Sequence, residues 1–253
     1  MKTIAIANQA GSAGKTTTTV TLGGLLADEG AHVLIIDADA QANATAWLGG
    51  EDTHPTIGEV LLRQAQLDEA VLKTGIPGLH LVPAGSQLDG QAVELGRVLG
   101  GEQRLRTALE SLDDQPDVVL IDCPGALSIL TIAGLVAADL AVTVAQPTIK
   151  ELAGVPRIEA TVAEVRDAYR PGLALAAVVP CIVPPAAAGA VYSEALGLLQ
   201  DEFGDLVTPP VRRSVRVPEA YAQQAPLHVH GPREAVTQDY RAVLAHLRMA
   251  GVL

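Results

Sequence analysis

At 253 residues the chain is long enough to bury a large α/β core. Its composition, 49% hydrophobic with 2% aromatic, leaves that core to Ala, Val, Leu and Ile, which suits a parallel sheet covered on both faces. The net charge of −12 excludes a surface that is basic throughout, Cys123 and Cys181 are too few for a disulfide scaffold or a cysteine metal cluster, and no apolar run reaches the roughly 20 residues of a membrane span.

Strands are predicted over 2–8, 32–37, 79–83, 117–122, 139–145, 174–183 and 206–208, and helices over 15–29, 56–64, 91–112, 127–137, 150–169, 189–203, 217–223 and 232–249. This alternation predicts one α/β domain over 1–253, with a mainly parallel twisted sheet and helices on both faces. In such sheets ligands bind outside the carboxyl ends of the strands. The first apolar run, Ile4-Ala5-Ile6-Ala7, leads into Ala-Gly-Ser-Ala-Gly-Lys-Thr at residues 10–16 and then a helix. Glycines let backbone N–H groups converge on an anion, and the helix N-terminus adds unsatisfied donors. Lys15 supplies a charge for phosphates, and the Thr16 hydroxyl suits Mg²⁺. The standard phosphate-loop pattern has glycine five residues before the Gly-Lys pair, where this chain has Gln9.

The second strand runs out at Asp37-Ala38-Asp39 and the fourth at Asp122-Cys123-Pro124. Strand-end carboxylates beside a phosphate loop are placed to hold Mg²⁺ through water and to orient an attacking water. Taken singly, each also fits a turn or cap. Further along, 206–253 carries Arg212, Arg213, Arg216, Arg233, Arg241 and Arg248 against Glu219, Glu234 and Asp239, a net of +3 that leaves −15 for 1–205. Charge alone leaves open a polyanion-binding face or arginines scattered on solvated helices. His228 and His230 are expected in a loop role, the two cysteines as buried small hydrophobes, and Trp47 packed on the body. Val236, Tyr240, Val243, Leu244 and Leu247 give the last helix an apolar stripe for the sheet.

Together these motifs resemble the ParA/MinD group of deviant phosphate-loop ATPases, and within it the small, Soj-like ParA partition proteins. Residues 10–16 align with the group's Lys-Gly-Gly-x-Gly-Lys-Thr loop. Asp37-Ala-Asp39-Ala-Gln41-Ala-Asn43-Ala-Thr45 is similar to its Asp-x-Asp-Pro-Gln-Gly-Asn-Ala-Thr, and Leu120-Ile-Asp122-Cys-Pro124 to its second acidic strand. The stretch Leu130–Asp139, Glu151-Leu-Ala-Gly154 and Arg213-Ser-Val-Arg216-Val-Pro-Glu219-Ala220 extend the likeness over nearly the whole chain. The resemblance implies that Gly11, Ser12, Ala13, Gly14, Lys15, Thr16 and Thr17 wrap the phosphates of ATP. It places Thr16 on Mg²⁺, Asp122 behind the metal through water, and Asp39 on the attacking water, with Lys15 and Asp39 the catalytic pair. It further implies an ATP-dependent homodimer, nonspecific DNA bound through Arg213 and Arg216 (Arg212 is added on charge and adjacency), a ParB-type centromere-binding partner, and a cytoplasmic, nucleoid-associated protein without membrane contact.

Four departures matter. The group's signature lysine, the first residue of the loop, is Ala10 here, which puts turnover in question more than binding. Ser12 replaces a glycine, Ala40 a proline, and Arg212 a proline. The leading expectation is an ATP-switched partition ATPase for plasmid or chromosome cargo. The alternatives are an ATP-binding scaffold that hardly hydrolyses, and a metabolic enzyme such as an ATP-dependent carboxylate-activating synthetase.

Overall fold

The computed structural model describes residues 1–9 and 13–253. In chain order its elements are β1 (Lys2–Ile6), α1 (Lys15–Asp28), β2 (Val33–Asp37), α2 (Asn43–Trp47), α3 (Ile57–Leu61), α4 (Leu67–Ala70), β3 (Leu72–Lys73), β4 (Leu79–Val82), α5 (Leu88–Leu95), α6 (Arg104–Glu110) and β5 (Val118–Asp122). There follow α7 (Ile129–Ala137), β6 (Leu140–Ala145), α8 (Ile149–Leu152), α9 (Val155–Ala168), β7 (Ala174–Pro180), α10 (Ala190–Phe203), α11 (Arg216–Ala222), α12 (Leu227–His230) and α13 (Ala235–Met249). The strands form one seven-stranded sheet of order β3-β4-β2-β5-β1-β6-β7. Every pairing is parallel except the short edge pair β3–β4.

Strand side chains alternate between faces, and β1 shows the consequence. Ile4 and Ile6 enter one core with Leu22 and Leu25 of α1 and Val236 and Tyr240 of α13. Ala5 and Ala7 enter the other, with Leu130 of α7 and Ile158 of α9. The run is apolar without interruption because both of its faces are buried, as the composition requires. Among the described residues no helix is long and apolar enough to cross a membrane.

Several predicted elements differ in extent. The helix expected over 91–112 is two helices: Gly100, at φ 71°, turns the chain between α5 and α6. The helix expected over 150–169 breaks at Gly154, where Pro156 starts α9 afresh. The segment expected as a strand over 206–208 makes one isolated bridge, Val207 to Val178. Pro209 and Pro210 follow it and lack the N–H groups that would extend a ladder. The short elements α2, α4, β3 and α12 were not expected, being too brief to show a period.

α1 is the buried axis of one layer, with eleven of its fourteen residues buried. Its Gly23 and Gly24 set how closely it packs. A Cβ at Gly23 would lie 2.9 Å from Ile35 Cδ1, and one at Gly24 would collide with the imidazole of His228 in α12. Gly24→Val is therefore expected to overpack the α1–α12 contact and cost about 1–3 kcal/mol. A urea midpoint equal to wild type, at unchanged m, would contradict this packing account.

Candidate functional site

Register places the site. Ile6 pairs with Asp122, and Asp122 pairs with Asp37, so β1, β5 and β2 end at one level. The chain leaving β1 re-enters helix at Gly14, which has φ 98° and caps α1. Only glycine takes that conformation without strain, and the neighbouring Cys181 would sit 3.2 Å from an added Cβ. Ala10, Gly11 and Ser12 lie outside the described residues, so the expectations for them carry no geometry here. Ala13, Gly14, Lys15, Thr16 and Thr17 line a cavity of 780 Å³ at the carboxyl edge of the sheet.

Lys15 is buried, at 6% exposure. Thr16 Oγ1 donates to Asp122 Oδ2 at 2.7 Å, and Thr19 Oγ1 lies 3.3 Å from Asp122 Oδ1. Burial, reinforced by the neighbouring Asp37 carboxylate, pushes the Asp122 carboxyl up to about 8, against the pull of Thr16 and Lys15. Asp37 is raised to about 6 by burial, held back by hydrogen bonds from Thr45 and from the Asp39 N–H.

The two acids of the Asp37-Ala38-Asp39 run have separate jobs. Asp37 Oδ2 accepts from Thr45 N at 2.8 Å and Thr45 Oγ1 at 2.7 Å, and Thr45 Oγ1 in turn accepts from Ala84 N at 2.9 Å. It staples the loop after β2 to the end of β4. Asp39 lines the cavity, and its Oδ1 accepts from Gln41 N at 3.0 Å, which fixes the turn that presents it. Lys15, Thr16, Asp39 and Asp122 thus converge, as their sequence positions suggested.

The donor set suits a hard cation. Among the described residues no group of three or more His, Cys, Asp or Glu is arranged to hold a metal. What is present is one hydroxyl on a buried carboxylate in an electron-rich corner, with room beside it. That fits Mg²⁺ shared with phosphate oxygens and water better than a cation enclosed by protein.

Trp47, Val217, Pro218 and Tyr221 were not expected in the wall. Trp47 packs on the body as anticipated, with Nε1 donating to Ala225 O at 2.9 Å, yet its ring also lines the cavity. It meets Tyr221 edge-on at 5.4 Å. Pro124, Gly125, Val217 and Pro218 complete this side. A second cavity of 520 Å³ shares Gly14, Thr17, Ile182, Val217 and Pro218 with the first and runs on past Cys181, Tyr240 and Arg213. Thr18 Oγ1, Tyr240 OH and Cys181 Sγ form a buried polar knot at its floor. Burial pushes Cys181 up to about 11 and raises Cys123 as well, so both behave as small hydrophobes.

The three candidate arginines are not equivalent. Arg212 grips Asp239 through Nε at 2.6 Å and Nη2 at 2.8 Å. Arg216 meets Glu219 at 2.6 Å and Glu234 at 3.5 Å. The three acids of the C-terminal part are thereby all engaged with these two side chains. Arg213 is exposed, is fixed by its N–H on Val183 O at 2.7 Å, and makes no ion pair among the described residues. Neither His228 nor His230 joins a ligand set: His228 is buried against α1, and His230 faces Gln223 and Glu219.

A parallel sheet whose first strand delivers Gly-Lys-Thr to a helix N-terminus, with two strand-end aspartates beside it, defines a phosphate-loop nucleotide-binding fold. The comparisons agree. A family model described as an AAA domain matches residues 1–175. The chromosome partitioning protein ParA of Caulobacter vibrioides is 36% identical over 245 residues, covering 95% of this chain and 91% of that one. Apo McdA of Cyanothece superposes with a TM-score of 0.89 at 27% identity, covering 98% and 99% of the two chains. Cobyrinic acid a,c-diamide synthase of Mycobacterium smegmatis, bound to ADP and magnesium, superposes at 0.80 with 30% identity over 98% and 96%. The chain belongs to this AAA-domain family, within the ParA-type partition ATPases.

The buried carboxylate pair makes the site sensitive to pH. The unfolded chain gives up these protons near the ordinary carboxylate range, about pH 4, whereas the folded chain keeps them until about 6 and about 8. The contribution of this pair to stability is then greatest at low pH and falls as pH rises through that window, by up to about 1.4 kcal/mol per pH unit for each proton retained. With chelator present and no nucleotide, the wild-type melting temperature should fall from pH 6 to pH 8, and Asp122→Asn should flatten the fall. Parallel wild-type and variant curves would refute this assignment.

Proposed function

We propose that this chain is an ATP-switched DNA-partition ATPase, acting as a single domain over 1–253. The reading rests on one observation above the others: Lys15, Thr16, Asp39 and the Asp122 behind them meet at one cavity at the shared end of β1, β2 and β5. In this reading Gly11, Ser12, Ala13, Gly14, Thr16 and Thr17 cradle the phosphates of ATP, and Lys15 neutralises them. Thr16 Oγ1 ligates Mg²⁺ and Asp122 supports it through water. The bound cation would supply charge stabilisation as the phosphoryl group leaves. Asp39, held at the cavity by its turn, orients the attacking water. The second cavity, which shares Gly14 and Thr17 with the first, would take the rest of the nucleotide in this reading.

ATP then favours a homodimer that binds DNA without sequence preference, and a ParB-type partner resets it on plasmid or chromosome cargo. The protein would work in the cytoplasm on the nucleoid. Arg213 is the best-placed phosphate contact of the three arginines, since Arg212 and Arg216 are engaged with Asp239, Glu219 and Glu234. Alanine at position 10 favours a second reading, an ATP-dependent positioning scaffold with very slow turnover. It removes a cation from the mouth of the loop while leaving Lys15 and the backbone cradle in place.

Lys15→Ala is expected to lower ATP affinity by at least about a hundredfold, or roughly 2.7 kcal/mol, read by fluorescent nucleotide titration. Near-wild-type affinity would remove Lys15 from the site. Arg213→Ala with Arg216→Ala is expected to weaken retention on nonspecific DNA and lower the slope of log affinity against log salt by up to about two, while ATP-driven dimerisation persists. Undiminished retention would mean that the DNA surface lies elsewhere. Phosphate release measured with and without DNA separates the partition reading from the scaffold.

A further inference from the structure

Helix α2 spans five residues, too few for its own hydrogen bonds to hold it, so its position is set from outside at both ends. Ala42 caps its start, at φ 51° and ψ 34°. That is the left-handed region, where a Cβ crowds the following carbonyl. Of the five non-glycine residues with positive φ among those described, two lie at this joint: Ala42, and Gln224 at φ 50°. Such strain persists only where the surroundings over-determine it, and it gathers at functional sites. Here it closes the turn that carries Asp39. Ala42 N donates to Asp39 O at 2.8 Å, and Gln41 N to Asp39 Oδ1 at 3.0 Å.

The Thr45 hydroxyl and N–H pin the middle of α2 to Asp37. One pivot leaves a helix about 7.5 Å long free to tilt, and the far end is gripped separately. Trp47 Nε1 donates to Ala225 O at 2.9 Å, and Gln224 Nε2 donates to Ala46 O at 3.0 Å. The last carbonyls of a helix have no partner within it. Among the described residues, Ala46 O has only Gly49 N besides, at 3.4 Å. Trp47 is 2% exposed and packs edge-on against Tyr221, whereas Gln224 lies on the surface.

Tilting α2 would move Ala42, and with it the turn that bears Asp39. A carboxylate that orients an attacking water tolerates little displacement, since about 1 Å can cost on the order of a hundredfold in rate. Both hydrogen bonds at the far end of α2 engage residues 224 and 225, just past the cavity-wall residue Tyr221. The water-orienting turn and this distant stretch of chain are thus joined through one five-residue helix.

We infer that Trp47 and Gln224 are positioning residues: they clamp the far end of α2 and thereby hold Asp39 in place to orient the attacking water. The role of Asp39 rests on the ATPase reading; the clamp does not. The clamp is tested by amide hydrogen exchange over 41–48 in the nucleotide-free chain. Gln224→Ala, a surface change, and Trp47→Phe, which keeps a ring and removes the N–H, should each speed exchange there at least about fivefold, with the central strands unchanged. Gln224→Lys, which returns a donor of similar reach, should restore the wild-type rate. Unchanged exchange in Gln224→Ala, or exchange in Gln224→Lys as fast as in Gln224→Ala, overturns the clamp. In an Ala42→Gly background, where the left-handed turn carries no strain, Gln224→Ala should speed exchange less; an undiminished effect overturns the link between clamp and turn. Single-turnover phosphate release in Gln224→Ala should fall at least about fivefold while affinity for fluorescent ATP stays within about twofold, and Gln224→Lys should recover the rate. An unchanged rate, or a rate and affinity that fall together, overturns the positioning of Asp39. A wild-type chain that binds ATP and releases no phosphate counts instead against the ATPase reading, and the exchange rates still decide the clamp.

Discussion

The architecture depends on the in-register ending of three parallel strands. Because Ile6, Asp122 and Asp37 are successive partners across β1, β5 and β2, the loop leaving β1 opens beside two buried carboxylates. Parallel pairing with both faces covered buries such a carboxylate, so each must be satisfied by neighbours or stay protonated. The chain uses hydroxyls. Thr45 holds Asp37, and Thr16, with Thr19 close by, holds Asp122. Polar satisfaction of the strand ends and presentation of α1 at the cavity are one arrangement.

The C-terminal segment links what would otherwise be separate surfaces. From Arg212 to Tyr221 it carries the candidate arginines on its outside and supplies Val217, Pro218 and Tyr221 to the cavity wall. Tyr221 leans on Trp47 of α2, the helix that follows the Asp39 turn. The cavity wall and the candidate arginines are therefore parts of one short segment. The acids that engage Arg212 and Arg216 are Glu219 in the same segment, Glu234 at the N-cap of α13, and Asp239 within α13, which packs on α1.

Much of this was legible beforehand because it is local. Lys15 and Thr16 follow directly from an apolar run and a glycine-bearing turn, and Asp39 and Asp122 follow directly from apolar strands. Their convergence follows from the rule that α/β sites gather at strand carboxyl ends. The division of labour between Asp37 and Asp39 is different in kind, for it depends on Thr45 and Ala84 coming to one carboxylate from two other segments. The long helices expected over 91–112 and 150–169 failed at Gly100 and Gly154, where the apolar period continues through a residue whose backbone does not. Trp47 looked like core by composition, and it is, but a ring that is core on one side and cavity wall on the other has no sequence signature.

The sequence by itself determined the class of fold, the phosphate loop, the acidic strand ends and membership in the ParA-type family, because each is written in contiguous residues with a fixed physical requirement. The tertiary structure alone decided which of the basic residues are available. Along the chain Arg212, Arg213 and Arg216 carried the same expectation, and the acids that hold two of them lie up to 27 residues away. Ion pairing depends on distance in space, and a linear pattern records charge without recording what faces it.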